Sequence, residues 1–265
     1  MSYETLQLHI DGAVARLTID RPEHANAMTL EMGREMVAAL DRLQAESGVR
    51  VLLLTGAGQY FCAGADMAEF LRMQNMSSDE IRKHADQLYF SRAIQTMHEM
   101  DIPVVARING DAYGGGAGLT LACDLRVMSS NARLGFVFPR VGISSADAGA
   151  TYFLPRLVGM ARATEILLLG QEIGSAAALE MNLVHRVAPA DELDQVTEEL
   201  LSRLAAAAPI ATRYTKQALT KSFGSSIAEE LAFERQALAA CLLSDDHLEG
   251  VQAQLDKRLP VFKGK

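Results

Sequence analysis

The 265-residue sequence predicts an α/β core built from successive β-β-α turns, followed by an all-helical C-terminal region. Strand–loop–helix units recur without an exact repeat from the start to about Val187, which is the alternation of an α/β fold. From Asp191 onward the pattern is helical only, and no Pro/Gly/Ser-rich linker separates the two parts. The expected division is a core over 1–190 and a helical region over 191–265. The latter either packs on the core or forms a subunit interface.

The first unit is a hairpin. Leu6, Leu8 and Ile10 alternate with polar residues, and Val14, Leu17 and Ile19 follow Asp11-Gly12, a dipeptide that suits a tight turn. Arg21-Pro22 ends the second strand, because proline has no N–H for a ladder. Thr29 is a candidate N-cap for a helix to about Glu46, with Leu30, Met36, Val37, Leu40 and Leu43 on one stripe. Val49–Leu54 is a short apolar strand ending in the loop Thr55-Gly56-Ala57-Gly58. Ala68–Met100 predicts one or two helices broken near Ser77-Ser78. Pro103–Ala106 opens a strand running into Asn109-Gly110, and Gly114-Gly115-Gly116 leads into an apolar helix over Ala117–Cys123. Leu125–Met128 and Leu134–Phe138 are strand-like. The helical region divides into Glu192–Ala208, Pro209–Phe223, Ser226–Leu243 and Asp245–Arg258, with Pro209 at a helix start where its missing N–H costs little.

Composition narrows the function. Lys+Arg total 25 against 33 Asp+Glu, a formal net charge of −8. With no block of basic residues, this disfavours a nucleic-acid partner. No apolar run reaches the roughly 18–20 residues of a membrane span, and MSYETLQLHI lacks the basic and apolar regions of a secretory signal, so a cytoplasmic location is expected. Cys62, Cys123 and Cys241 are widely spaced in apolar settings and read as free thiols. The six histidines show no metal-binding spacing, and no nucleophile elbow, Walker A or dinucleotide fingerprint is present. Neither a metal nor a cofactor is expected.

Two glycine-containing segments remain: Phe61-Cys62-Ala63-Gly64-Ala65-Asp66-Met67 and Asn109-Gly110-Asp111-Ala112-Tyr113-Gly114-Gly115-Gly116. Consecutive glycines before a helix weaken the fold locally. They serve either close helix–strand packing or a bare helix N-terminus whose N–H groups stabilise an oxyanion together with a second N–H.

At this point the sequence resembles the crotonase (enoyl-CoA hydratase/isomerase) superfamily. Val105–Gly110, Gly114–Gly116 and Leu121-Ala122-Cys123-Asp124-Leu125 are similar to its signature. Arg21-Pro22-Glu23-His24-Ala25-Asn26-Ala27-Met28 and Ala63–Met67 are similar to its R-P-x-x-x-N-A-[LM] and A-G-x-D-[LIM] segments. Leu154–Gly159, Met181–Val184 and the stretch from Arg258 match in order and spacing. The resemblance implies a spiral of β-β-α turns with a helical trimerisation region, assembled as a homo-trimer or hexamer. It implies an acyl-CoA thioester substrate, with coenzyme A as part of the substrate. The thioester oxygen would lie between the amides of Ala65 and Gly115, and the CoA moiety along Ala25, Ala27, Ala63, Gly64, Asp66 and Met67. Lys257 either reaches the CoA of a neighbouring subunit or is a solvated helix charge.

The catalytic acids depart from the family pattern. The hydratase glutamate three residues beyond the middle glycine is replaced by Gly118. The second, in P-E-[VIL], corresponds to Arg140 or, in a register shifted by two, to Phe138. Asp147 is the surviving acid, either the catalytic acid/base or an N-cap of the next helix. Asp111 is expected to point away and Asp124 to be structural. Phe70, Met73, Phe136 and Phe138 line an apolar acyl pocket or pack in the core. One carboxylate suits a 1,3-proton shift better than hydration, which needs both an acid and a base. A catalytically impaired CoA-binding or scaffold protein is the alternative.

Overall fold

The computed structural model describes residues 3–73, 75–86 and 89–265. The chain opens with β1 (Leu6–Asp11) and β2 (Val14–Ile19), then α1 (Leu30–Ala45), β3 (Val51–Gly56), α2 (Met67–Met73), α3 (Ser78–Asp86) and α4 (Tyr89–Glu99). Next come β4 (Val104–Ile108), β5 (Ala112–Tyr113), α5 (Gly115–Ala122), β6 (Leu125–Ser129) and β7 (Arg133–Gly135). After these lie α6 (Ala150–Val158), α7 (Met160–Leu169), β8 (Glu172–Gly174), α8 (Ser175–Glu180) and β9 (Arg186–Ala188). The helices α9 (Leu193–Ala205), α10 (Pro209–Lys221), α11 (Ile227–Leu242) and α12 (Asp245–Leu255) complete the chain.

The larger sheet has the order β1-β2-β3-β4-β6-β9, antiparallel only at the first hairpin. After β2, β3, β4 and β6 the chain crosses to a second stack and returns. Met28 bridges Ala65, Cys62 bridges Ala112, and β5 pairs with β7 in parallel. Each turn therefore lies on the one before it, which makes the α/β spiral. Met32, Met36, Leu40, Leu52, Leu54, Met97 and Ile108 are fully buried between the sheet and the helices on one face. The opposite face packs Val51, Leu53, Val105 and Val127 against Leu193, Leu200 and Leu201 of α9.

Several boundaries differ from the sequence expectation. Asp11 pairs with Val14 as the last rung of the hairpin, so the loop is Gly12-Ala13 and only Gly12 has positive φ, +54°. β3 runs over Val51–Gly56 instead of Val49–Leu54, in register with Val14–Ile19. Among the described residues, Ala68–Met100 is helical up to Met73 and again over Ser78–Asp86 and Tyr89–Glu99, with the expected break at Ser77, a capping box whose hydroxyl accepts from Glu80 N–H at 3.3 Å while Glu80 accepts from Ser77 N–H at 2.8 Å. α5 starts at Gly115, not Ala117, because Gly114 (φ +50°, ψ −120°) turns the chain into the helix. Residues 134–138 are not one strand. β7 stops at Gly135 and Phe138–Val141 form a 3₁₀ turn around Pro139. Thr29 caps α1, its hydroxyl accepting from Met32 N–H at 3.1 Å.

Candidate active site

Three backbone strips lie side by side. Ala63 N–H donates to Ala25 C=O (3.0 Å), Met28 N–H to Gly64 C=O (2.7 Å) and Asp66 N–H to Met28 C=O (2.9 Å). In this parallel bridge Gly64 C=O and Asp66 N–H face Met28, so the intervening Ala65 N–H points the other way. Tyr113 N–H donates to Cys62 C=O (2.9 Å), bringing the glycine triplet against the same strip. Gly115 is the first residue of α5, and a first-turn N–H has no partner inside its own helix. Neither the Ala65 nor the Gly115 amide donates to another backbone group among the described residues, and both residues line one cavity of about 440 Å³. The close-packing reading of the triplet holds at Gly116, where a Cβ would stand 2.3 Å from Cys62 C=O.

Apolar side chains dominate the cavity wall, including Met28, Phe70, Met73, Phe90, Phe138 and Ile143. Phe136 is not among them; it is fully buried in the core. Among the described residues the cavity carboxylates are Asp66, Glu69 and Asp147. Asp66 is tied to the Arg21 guanidinium (3.3 Å) and to Ala68 N–H (3.0 Å). Burial opposes its ionisation, but these two partners outweigh burial and lower its pKa. Glu69 accepts from Leu30 N–H at 3.1 Å, holding the start of α1. Asp147 is exposed; its Oδ1 accepts from the adjacent Ala148 N–H at 2.7 Å, and its Oδ2 accepts from no described residue. Asp147 is not a helix cap. α6 begins three residues later, with Gly149 at the N-cap, and Asp147 contributes only its backbone carbonyl to Ala150 N–H (2.9 Å).

The two candidates for the second glutamate position face different ways. Phe138 lines the cavity, whereas Arg140 points away to Glu172 Oε1 and to Gly170 C=O. Asp111 pairs with Arg133 at 2.8 Å and Asp124 with Lys216 at 2.8 Å, both outside the cavity lining. Ala25 and Ala27 border the strip without lining the cavity, while Ala63, Gly64 and Met67 line it. Lys257 is exposed just past α12, at φ +55°, and does not line the cavity of its own chain. Cys62 is fully buried, and burial pushes its thiol up to about 12, so no thiolate nucleophile stands here. Among the described residues no group of three or more His, Cys, Asp or Glu is placed to hold a metal. Glu69 and the walls from Ile81, Phe90 and Ile143 escape sequence reasoning; an acid early in a helix is the only signal Glu69 carries.

The sequence matches the family described as enoyl-CoA hydratase/isomerase over residues 9–265. It is 34% identical to the short-chain-enoyl-CoA hydratase of Clostridium acetobutylicum over 260 residues, covering 97% of each chain. It is 30% identical to the 1,2-epoxyphenylacetyl-CoA isomerase of Escherichia coli over 262 residues, 99% of each. The crystal structure of an enoyl-CoA hydratase from Bacillus anthracis superposes with a TM-score of 0.92 at 33% identity, covering 99% of this chain and all of that one.

Proposed function

The chain belongs to the enoyl-CoA hydratase/isomerase family, the crotonase superfamily, and on that premise we propose that it moves the double bond of an enoyl-CoA with Asp147 as the single proton shuttle. The observation that carries this reading is the inventory of cavity carboxylates. Asp66 has both oxygens engaged, by Arg21 and Ala68 N–H, and Glu69 Oε2 is committed to Leu30 N–H at the start of α1, whereas Asp147 bonds only to the adjacent Ala148 N–H and holds no other element. Gly118 and either Arg140 or Phe138 stand where the family resemblance implies a hydratase's two glutamates, and none of them transfers a proton at neutral pH.

In the proposed reaction the thioester oxygen of a 3-enoyl-CoA accepts hydrogen bonds from Ala65 N–H and Gly115 N–H. Asp147 removes a proton from C2, and the C–H electron pair moves into the thioester to give a dienolate. The two amides stabilise the charge that develops on oxygen, aided by the positive end of α5. Protonation at C4 by the Asp147 carboxylic acid returns the electrons and leaves a 2-enoyl-CoA. The proton lost at C2 is balanced by the one gained at C4, and the aspartate ends as it began. Phe138 and Ile143 give an added water no polar partner, which disfavours hydration. The CoA moiety would run along Ala25, Ala27, Ala63, Gly64, Asp66 and Met67, with Lys257 contributed to a neighbouring subunit.

The test is a panel of 2-enoyl, 3-enoyl and saturated CoA esters incubated in water and in heavy water, with products separated and weighed. The proposal expects interconversion of 2- and 3-enoyl esters with deuterium entering C2 or C4, and weak hydration of short 2-enoyl esters. Rapid hydration without isomerisation would contradict it. Binding without turnover of any ester would favour the scaffold alternative.

A further inference from the structure

We propose that Gly118 is the positioning residue for Asp147: the missing side chain on α5 is the socket into which Ala148 seats, and this seating fixes the carboxylate in the cavity. The inference rests on the reading of Asp147 as the acid/base. A Cβ added to Gly118 would lie 2.4 Å from the Ala148 carbonyl oxygen and 2.5 Å from the Ala148 Cβ. The first of these neighbours is backbone, so it cannot yield by rotating a side chain. Ala148 is buried and has φ +47°, a left-handed conformation that an L-residue adopts only when its surroundings hold it there. The loop is pinned from its other side as well. Gly149 has φ +71°, and a Cβ there would stand 2.7 Å from the Phe153 ring. Asp147 C=O accepts from Ala150 N–H at 2.9 Å, tying the loop to the start of α6. Of the residues of this turn that line the cavity, Ser144, Ala146, Asp147 and Ala148, Asp147 is the one that carries an acid.

The consequence is an exclusion. A side chain at 118 and the loop in this position cannot coexist, so an acid at 118 would displace the loop that carries Asp147. The glycine is the condition under which the loop acid reaches the site.

The test uses trans-3-hexenoyl-CoA with the full chain, its Gly118→Ala and Asp147→Asn variants, and the double variant. Each single substitution is expected to lower kcat by about 10²-fold, the scale of one lost general acid/base. KM is expected to stay within about threefold, since the thioester-binding amides are untouched. If Gly118 acts only through Asp147, the double variant loses about 10²-fold again rather than the roughly 10⁴-fold product of independent effects. Wild-type kcat in Gly118→Ala, or a multiplicative loss in the double variant, would overturn the proposal while leaving Asp147 in place. Wild-type kcat in Asp147→Asn would instead overturn the assignment of the base. The swap Gly118→Ala with Ala148→Gly moves the methyl across the contact and frees the loop backbone to adjust; at least about tenfold recovery over Gly118→Ala is expected. No recovery, or failure of both glycine variants to fold, would place Gly118 in core assembly and overturn the positional role.

Discussion

Asp66 and Asp147 border the same cavity, yet one is committed to structure and the other is not. Asp66 is held below the ordinary carboxylate range, its burial being outweighed by Ala68 N–H and the Arg21 guanidinium. A folded-state pKa below the unfolded value means that the unfolded chain binds more protons in the interval between them. The stabilisation is therefore complete above about pH 4 and is lost as pH falls through the lower folded value. Asp66→Asn is expected to lower Tm near neutral pH and to flatten the fall in Tm below about pH 4; an unchanged acid limb would contradict this. The two glycine segments that hold Ala65 and Gly115 stood out in the sequence because glycines mark places where backbone must approach backbone, but the choice of those two amides came from the family resemblance. The choice between Phe138 and Arg140 was not legible. The two registers lie two residues apart and spacing does not choose between them; only the pull of Glu172 on Arg140 shows which side chain turns inward. The socket at Gly118 was equally hidden, since its other half is thirty residues downstream.

At the scale of elements, α10 docks on the spiral through one buried cation. Lys216, 7% exposed, pairs with Asp124 at 2.8 Å and donates to the carbonyls of Met97 and Ile102 at 3.0 Å each. Removing it leaves a carboxylate and two carbonyls without their cation. Lys216→Met is expected to cost about 3–5 kcal/mol, read by denaturant unfolding, with KM for a CoA ester unchanged in the fraction that remains folded. A loss below about 1 kcal/mol would show the pair to be solvent-screened. The hairpin, α1 and the parallel strands were legible because their apolar periods are long. β8 and β9 have three residues each, too few to show a period, and β5 has two. α9 reads as an ordinary amphipathic helix, and only the tertiary structure shows that its stripe covers the second face of the large sheet.

For the whole molecule, the helices beyond α9 leave much apolar surface open. α11 buries none of its residues, and Phe223, Ile227, Leu243, Leu255 and Leu259 are each at least 70% exposed. Exposure on this scale indicates a partner surface. The expected partner is a second copy of this chain, giving a trimer or hexamer by light scattering at micromolar concentration. A monomer would contradict that and would leave Lys257 with no neighbouring CoA to reach. The central claim is that two backbone amides and one loop carboxylate converge on a thioester. A crystal structure with a bound, slowly reacting CoA ester tests it most directly. The account predicts the thioester oxygen within about 3.5 Å of both the Ala65 and Gly115 nitrogens, with C2 facing Asp147 Oδ2. An oxygen beyond that distance from both amides, or a C2 facing Glu69 instead of Asp147, would contradict it.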